Sequence, residues 1–309
     1  MPSMQARIAE IFMRFQLSGW SKGTIAEQRS RQEKTARFAR LPADIHCRPV
    51  DIHGMPAEWI AEVHADAGVM LYLHGGAYAL GSINVHREMV ARLAEAAGIK
   101  ALVINYRLAP EHPFPAALED TIAAYDWLLA QGYDPPRIAI AGDSAGGGLA
   151  IAALVALRDA GAALPAAAVC ISPWIDLTLS GASTHKNVNS DPILDPQSLA
   201  KYAGYYAGEL ELTSPLISPL YANLEGLPPL LIHVGTHEIL LDDATRLAEN
   251  ARQAGVDVIL ETWDGMFHLF QIIPFVPETQ QSIAQIAGFV TNKLKLSGEN
   301  QGVASNSRF

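Results

Sequence analysis

Cysteine is nearly missing from this chain: of its 309 residues only Cys47 and Cys170 are cysteine. Cys170 lies in the apolar run Ala166-Ala167-Ala168-Val169-Cys170-Ile171, so it reads as a buried, inert thiol rather than half of a disulfide. No spacing of Cys and His matches a zinc site, so no metal is expected. Basic residues are also scarce: 22 Lys and Arg stand against 32 Asp and Glu, a net charge of −10. Affinity for phosphate backbones rests on Lys and Arg, so no nucleic-acid partner is expected. Long apolar runs are absent too. None approaches the ~20 residues of a membrane span, and no membrane insertion is expected. Residues 1–15 lack the continuous apolar core and small-residue cleavage site of a signal peptide, so the expected location is cytoplasmic.

What is present is an apolar, rhythmic chain. Half of the residues are hydrophobic and 17% are charged, enough to bury a large α/β core. Residues 1–40 read as amphipathic helix, with Ile8, Ile11, Phe12 and Phe15 on one face. Residues 45–63 hold two alternating strand candidates. Short apolar runs then predict strands at 69–73, 101–104, 138–141, 167–171, 230–234 and 258–262. Between and after them, helices are predicted at 85–97, 116–130, 145–159, 243–254 and 277–296. Such alternation implies a mostly parallel sheet covered by helices on both faces. The rhythm breaks over about 175–220, a proline-rich stretch with its own tyrosine-bearing helix at 199–206, which reads as a lid or cap. Residues 297–309, polar and small, read as a disordered tail.

In open α/β sheets, ligands sit beyond the carboxyl ends of the strands. The strand at 138–141 runs into Gly142-Asp143-Ser144-Ala145-Gly146 and then into a helix. A serine at a sharp strand-to-helix turn is held in a strained backbone with its hydroxyl presented, as a nucleophile requires. After the strand ending at Leu73 comes His74-Gly75-Gly76-Ala77-Tyr78. Its small residues can bring backbone N–H groups to a developing oxyanion, beside the N–H of Ala145. After Val234 comes Gly235-Thr236-His237-Glu238, followed by Asp242 and Asp243. The two aspartates stand where a helix begins and read as N-caps, whereas Glu238 directly follows the strand and is the better acid. After the final strand, His268 lies on a glycine-containing loop, placed as a general base. The other histidines have blander readings; His86, for example, is expected to face solvent or cap a helix, and His233 to sit in the core. The chain order Ser144, Glu238, His268 is that of an α/β-hydrolase triad.

With Tyr106-Arg107-Leu108-Ala109-Pro110-Glu111, Pro113-Phe114-Pro115-Ala116-Ala117 and Ser172-Pro173-Trp174-Ile175-Asp176, these motifs resemble the bacterial hormone-sensitive-lipase-like carboxylesterases, a branch of the α/β-hydrolase superfamily. The resemblance runs from about residue 45 to 295. It implies an α/β-hydrolase fold with residues 41–174 and 221–296 as the catalytic domain and 1–40 and about 175–220 as a helical cap. It also implies hydrolysis of esters with short to medium acyl chains through a covalent acyl-enzyme, without cofactor or metal. In that scheme Gly76, Ala77 and Ala145 donate to the oxyanion and Gly75 shapes the turn. Tyr78, Asp143 and Tyr202 are candidate substrate contacts. Phe12, Phe15, Trp20, Tyr202, Tyr205 and Tyr206 either line the entrance or pack the cap's own core. Relatives often dimerise through an edge strand.

Two positions depart from the usual family pattern. Ala77 replaces a glycine, which predicts a negative φ there because alanine tolerates positive φ poorly. Glu238 fills the position of an aspartate and is one methylene longer. The same chemistry on an amide, lactone or acetylated metabolite stays open. A ligand-binding receptor on this fold is disfavoured, since plant hormone receptors resembling the family lack the histidine that His268 supplies.

Overall fold

The computed structural model describes residues 1–16, 22–37, 40–42, 45–60 and 68–294. Trp20, residues 61–63 and the tail at 297–309 lie outside the described residues. The sheet is built from β1 (Cys47–Ile52), β2 (Met55–Ile60), β3 (Val69–Leu73), β4 (Lys100–Ile104), β5 (Ile138–Asp143), β6 (Ala167–Ile171), β7 (Leu230–Gly235) and β8 (Val258–Trp263). Its order is β1-β2-β4-β3-β5-β6-β7-β8, with β1 and β8 at the edges. The pairs β1–β2 and β2–β4 are antiparallel, and every later pairing is parallel.

Side chains alternate across a strand, and the core divides accordingly. Leu71, Leu73, Ile138, Ile140, Cys170 and Ile232 face one layer, with α4 (Ala116–Ala130), α5 (Ala145–Asp159) and α8 (Leu241–Gln253). Met70, Tyr72, Ala139, Ala141, Val169 and Leu231 face the other, with α3 (Ile83–Ala97) and α9 (Pro277–Lys293). The apolar runs of β3, β5, β6 and β7 are therefore strands wetted on neither face, whereas the edge strand β8 leaves Ile259 exposed. Helix α3 starts where the Ser82 side chain accepts from the Val85 N–H, and ends at Gly98 with φ +63°.

The remaining helices are α1 (Met4–Gln16), α2 (Ile25–Ala36), the single turn α6 (Ser183–Lys186) and α7 (Pro196–Ala207). The first of them is amphipathic, but not in the expected sense. Its packed face is Ala6, Ala9 and Met13, against Met266, Phe267 and Phe270. Ile8, Ile11, Phe12 and Phe15 form the opposite face and are exposed. Small residues let the helix settle closely on the two phenylalanines, which the larger side chains would hold off. In α2, Thr24 and Glu27 form a reciprocal capping box. Arg29 then reaches across to the Ala79 and Ala109 carbonyls, both at 2.8 Å. The Tyr202 hydroxyl of α7 donates to Gln28 Oε1 of α2 at 2.6 Å. The loops after β3, β4 and β8, all at the carboxyl edge of the sheet, are thus covered by helix.

Asp242 and Asp243 are not N-caps. Helix α8 begins two residues earlier than expected, after Leu240, and both aspartates lie in its first turn. There they hold other segments. Asp242 Oδ2 accepts from the Ser183 N–H at 2.9 Å, and Asp243 Oδ2 accepts from the N–H groups of Ile175 and Asp176, both at 2.9 Å. Asp243 Oδ1 is buried without a partner, and burial pushes this carboxyl up to about 7 despite the two N–H bonds. An unfolded chain releases that proton near 3.8, so the fold loses stability as pH rises from about 4 to about 7. Asp243→Asn is expected to remove this part of the pH dependence, on the order of a few kcal/mol, in urea unfolding compared at pH values either side of that window. An unchanged difference would place the carboxyl's titration elsewhere.

Candidate active site

Ser144 closes β5 with φ +52° and ψ −120°, a conformation non-glycine residues rarely adopt. The turn is pinned on both sides. Its N–H donates to the Ile171 carbonyl at 2.8 Å, and its carbonyl accepts from Gly147, Gly148 and Trp174 at 3.0, 3.2 and 2.9 Å. Such redundancy is what lets strained backbone persist. Gly146 is required by close approach: a Cβ there would lie 2.0 Å from the Leu73 carbonyl oxygen, forcing α5 off β3.

Two strands along the sheet, beyond β7, Glu238 is fully buried and divides its oxygens. Oε1 accepts from the Ser172 hydroxyl at 2.7 Å and from the Gly235 N–H at 2.6 Å. Oε2 lies 2.9 Å from His268 Nδ1. Asn187 Nδ2 secures the loop by donating to the Thr236 and Glu238 carbonyls at 3.1 and 2.7 Å. His268 is buried, which by itself lowers its pKa. The bond and charge of Glu238, with the charges of Asp191 and Asp143, outweigh that and hold it above the ordinary 6.5. An imidazole held through Nδ1–H by a carboxylate keeps Nε2 as a proton acceptor and is stabilised once it becomes a cation.

Ser172 was legible only as part of a motif, yet it joins the loops that carry Glu238 and His268. Its hydroxyl donates to Glu238, and the Leu269 N–H reaches its oxygen at 3.4 Å. The rule that pointed to Glu238 and His268 also covers it, since it directly follows β6.

The glycine loop keeps Gly75 in a turn-shaping role and departs from expectation at Ala77. Gly75 does not offer its N–H to a ligand, because that group donates to Asp143 Oδ1 at 3.0 Å. The Gly76 and Ala77 N–H groups meet no acceptor among the described residues, and the Ala145 N–H opens α5, where a helix supplies no partner. These three are the available donors. Ala77 sits at φ +52°, not at the expected negative value, and Tyr78 follows at +60°. The loop needs that curl because the Gly76 carbonyl accepts from both Ala79 and Leu80, at 3.1 and 2.7 Å. Ala77→Gly should therefore relieve about 1–2 kcal/mol of left-handed strain against about 0.5–1 kcal/mol of added chain entropy. A gain of up to about 1.5 kcal/mol in chemical unfolding is expected; a loss would mean that the methyl group's packing outweighs the strain.

The three candidate substrate contacts are spent elsewhere. Asp143 is fully buried beneath the loop, with Oδ1 taken by Gly75 and by the Tyr72 hydroxyl at 2.8 Å. Tyr78 is buried, with its ring stacked on Tyr206 at 3.7 Å between centroids. Tyr202 is buried on Gln28. Of the six aromatics weighed for the entrance, Phe12 and Phe15 face outward, while Tyr202 and Tyr206 are core. His86 is neither solvent-facing nor a cap but buried against Asp143, with its Nε2 3.3 Å from Oδ2. His233 is in the core, yet only its Nδ1 is partnered, by Ser282 and Trp263 at 2.9 and 3.2 Å.

Known proteins share this architecture. A family described as having the alpha/beta hydrolase fold matches residues 70–272. An acetyl-hydrolase of Streptomyces hygroscopicus is 47% identical over 258 residues, covering 83% of this chain and 85% of its own. The putative acetyl-hydrolase LipR of Mycobacterium tuberculosis is 37% identical over 268 residues, covering 86% and 87%. A crystal structure of an esterase from the bacterial hormone-sensitive lipase family superposes with a TM-score of 0.91 at 47% identity, over 95% of this chain and 100% of that one. The sheet, the serine turn and the matched family define an α/β hydrolase. Within that class the chain belongs to the bacterial hormone-sensitive-lipase-like carboxylesterases. Among the described residues no helix is long and apolar enough to cross a membrane.

Proposed function

We propose that this carboxylic ester hydrolase acts by acyl transfer through Ser144, with His268 as base and Glu238 as the acid that orients it. The observation that carries the reading is the division of the Glu238 carboxylate: one oxygen is locked by Ser172 and Gly235, which leaves the other for His268 Nδ1 at 2.9 Å. His268 takes the Ser144 proton as the hydroxyl oxygen attacks the ester carbonyl. The negative charge that develops on the carbonyl oxygen is met by the N–H groups of Gly76, Ala77 and Ala145. His268 then protonates the departing alkoxide, leaving Ser144 acylated. Water, deprotonated by the same imidazole, attacks that acyl group and frees the acid and the serine.

The helices α1, α2 and α7, together with the segment around α6, are read as the cap over this site. The preferred substrates are short acyl esters, a reading supported by relatives named acetyl-hydrolases and by the burial of Tyr78, Trp174 and Tyr206 beside the serine turn. A panel of p-nitrophenyl esters tests it. kcat/KM is expected to be highest for acetate to butyrate and to fall at least about tenfold by decanoate. A flat profile would remove the short-chain reading. Higher kcat/KM on matched amides or lactones would keep the mechanism and change the substrate class.

A further inference from the structure

Under the glycine loop lies a buried group of ionisable side chains that the chemistry above leaves unused. Asp143 Oδ1 holds the Gly75 N–H and the Tyr72 hydroxyl, but Oδ2 is buried with no aligned hydrogen bond of its own. The nearest compensation is His86 Nε2 at 3.3 Å, an ion-pair distance. His86 is fixed from its other side, because Nδ1 bonds the Ser82 carbonyl at 3.1 Å, and its ring stacks on His74 at 5.4 Å. A Cβ on Gly75 would lie 2.1 Å from Asp143 Oδ2, so the loop rests directly on this carboxylate. Asp143 immediately precedes Ser144. An unbalanced charge there would oppose the oxyanion formed at the neighbouring N–H groups.

We propose that His86 is the counter-ion of Asp143 and thereby a positioning residue of the oxyanion loop. Asp143 aims the loop through the Gly75 N–H, and the His86 cation cancels the charge that Asp143 brings with it. The inference rests on the assignment of Ser144 and the Gly76–Ala77 turn made above. In a buried site of low dielectric constant such a cancellation outweighs what the same charges do at a surface.

The surroundings fit an ionised pair. Burial alone lowers the pKa of His86, but the charge and contact of Asp143, with the Ser82 carbonyl, raise it above its ordinary value. Burial alone raises Asp143, and the charge and contact of His86 with the Tyr72 hydrogen bond bring it below its ordinary value. His74, stacked between His86 and Tyr106, is pushed down to about 3 and stays neutral. Tyr72 and Tyr106 are pushed far up by burial and do not titrate near neutrality. On α2, Glu33 is engaged by Ser82 Oγ and Asn84, and on α3 Arg87 is engaged by Glu58. The same Asp143 charge also reaches His268.

The test is a charge cycle on p-nitrophenyl acetate using His86→Gln, Asp143→Asn and the double variant, with pH profiles. His86→Gln keeps a donor but loses the cation, and kcat is expected to fall about 10- to 100-fold with KM nearly unchanged. Removing the stranded charge in the double variant should recover part of that loss. The high-pH fall in kcat/KM caused by deprotonation of His86 should vanish in both. A His86→Gln activity within about twofold of the parent, a double variant no better than the single, or an unchanged high-pH limb would each overturn the proposal. Should the variants not fold, NMR of histidine-labelled protein in a His268→Ala background decides. One imidazolium that outlasts those of the exposed histidines as pH rises through neutrality is expected, and its absence overturns the pair. Phosphonate labelling of Ser144 separates the two readings: an unlabelled parent enzyme means that the mechanism has failed, not the counter-ion.

Discussion

Ser144→Ala is expected to lower kcat for p-nitrophenyl acetate by about 10⁵–10⁶-fold while leaving the fold intact. Only the hydroxyl is lost. The bonds that pin the turn use the backbone N–H and carbonyl of residue 144, and alanine bears the φ of +52° at much the same cost as serine. His268→Ala should be nearly as damaging, and the double variant little worse than either, since nucleophile and base act as one unit. The residual rate, about 10³–10⁴ over water, would then belong to the oxyanion donors and substrate binding. Stopped-flow or discontinuous assays on purified variants, with a matched thermal melt, measure this. Independent, multiplying losses would mean that the two side chains do not share a proton, and the mechanism would fail.

Glu238→Gln is expected to cost about 10⁴-fold in kcat, through the tautomer of His268 rather than through lost packing. The side-chain oxygen of the glutamine must face the Ser172 hydroxyl and the Gly235 N–H, both of which are donors. That turns the amide nitrogen towards His268 Nδ1 and sets a donor against the nitrogen that carries the proton. The ring then switches to Nε2–H, and Nε2 can no longer accept the proton that the proposed mechanism takes from Ser144. A second signature follows from charge. In the parent enzyme, against the effect of burial, the bond and charge of Glu238 hold the His268 imidazole above its ordinary 6.5, so kcat/KM is expected to fall as pH drops through that raised value. Removing the carboxylate should move the midpoint downward while the remaining rate stays low. Asp242→Asn is the contrast. It keeps an oxygen for the Ser183 N–H, so kcat should stay within a few fold, with at most about 1 kcal/mol lost in unfolding. The reverse pattern would make Asp242 the acid.

Much of this molecule can be read from the chain because its elements are locally encoded. The strand expected at 69–73 is β3, and the helix expected at 116–130 is α4, residue for residue. Continuous apolar runs bounded by glycine or proline have few other ways to bury themselves. The site was legible for a related reason. Glu238 and His268 lie on loops just past strands, so strand order alone brings them to one edge of the sheet. The 2.9 Å contact between them then follows from two neighbouring parallel strands, β7 and β8.

Other features were closed to sequence reading because they depend on partners far away along the chain. Nothing near Gly75 says that its N–H is consumed by a residue 68 positions later, or that Ser172 answers an acid 66 positions on. His86 looked like a surface histidine because its helix shows no local reason to bury a polar group; the reason is Asp143, brought up from β5. In α1 two apolar faces were present, and periodicity cannot say which one a neighbour will take. The choice fell to Ala6, Ala9 and Met13 because Phe267 and Phe270 admit only a close approach. The sequence by itself determined the strands, the helices, the serine turn and the loops that carry Glu238 and His268, since local pattern and strand polarity suffice for these. Tertiary structure alone decided which backbone N–H groups stay free, which carboxylate supports the loop and which face of the first helix is buried. Those are outcomes of long-range packing and of the demand that every buried charge find a partner.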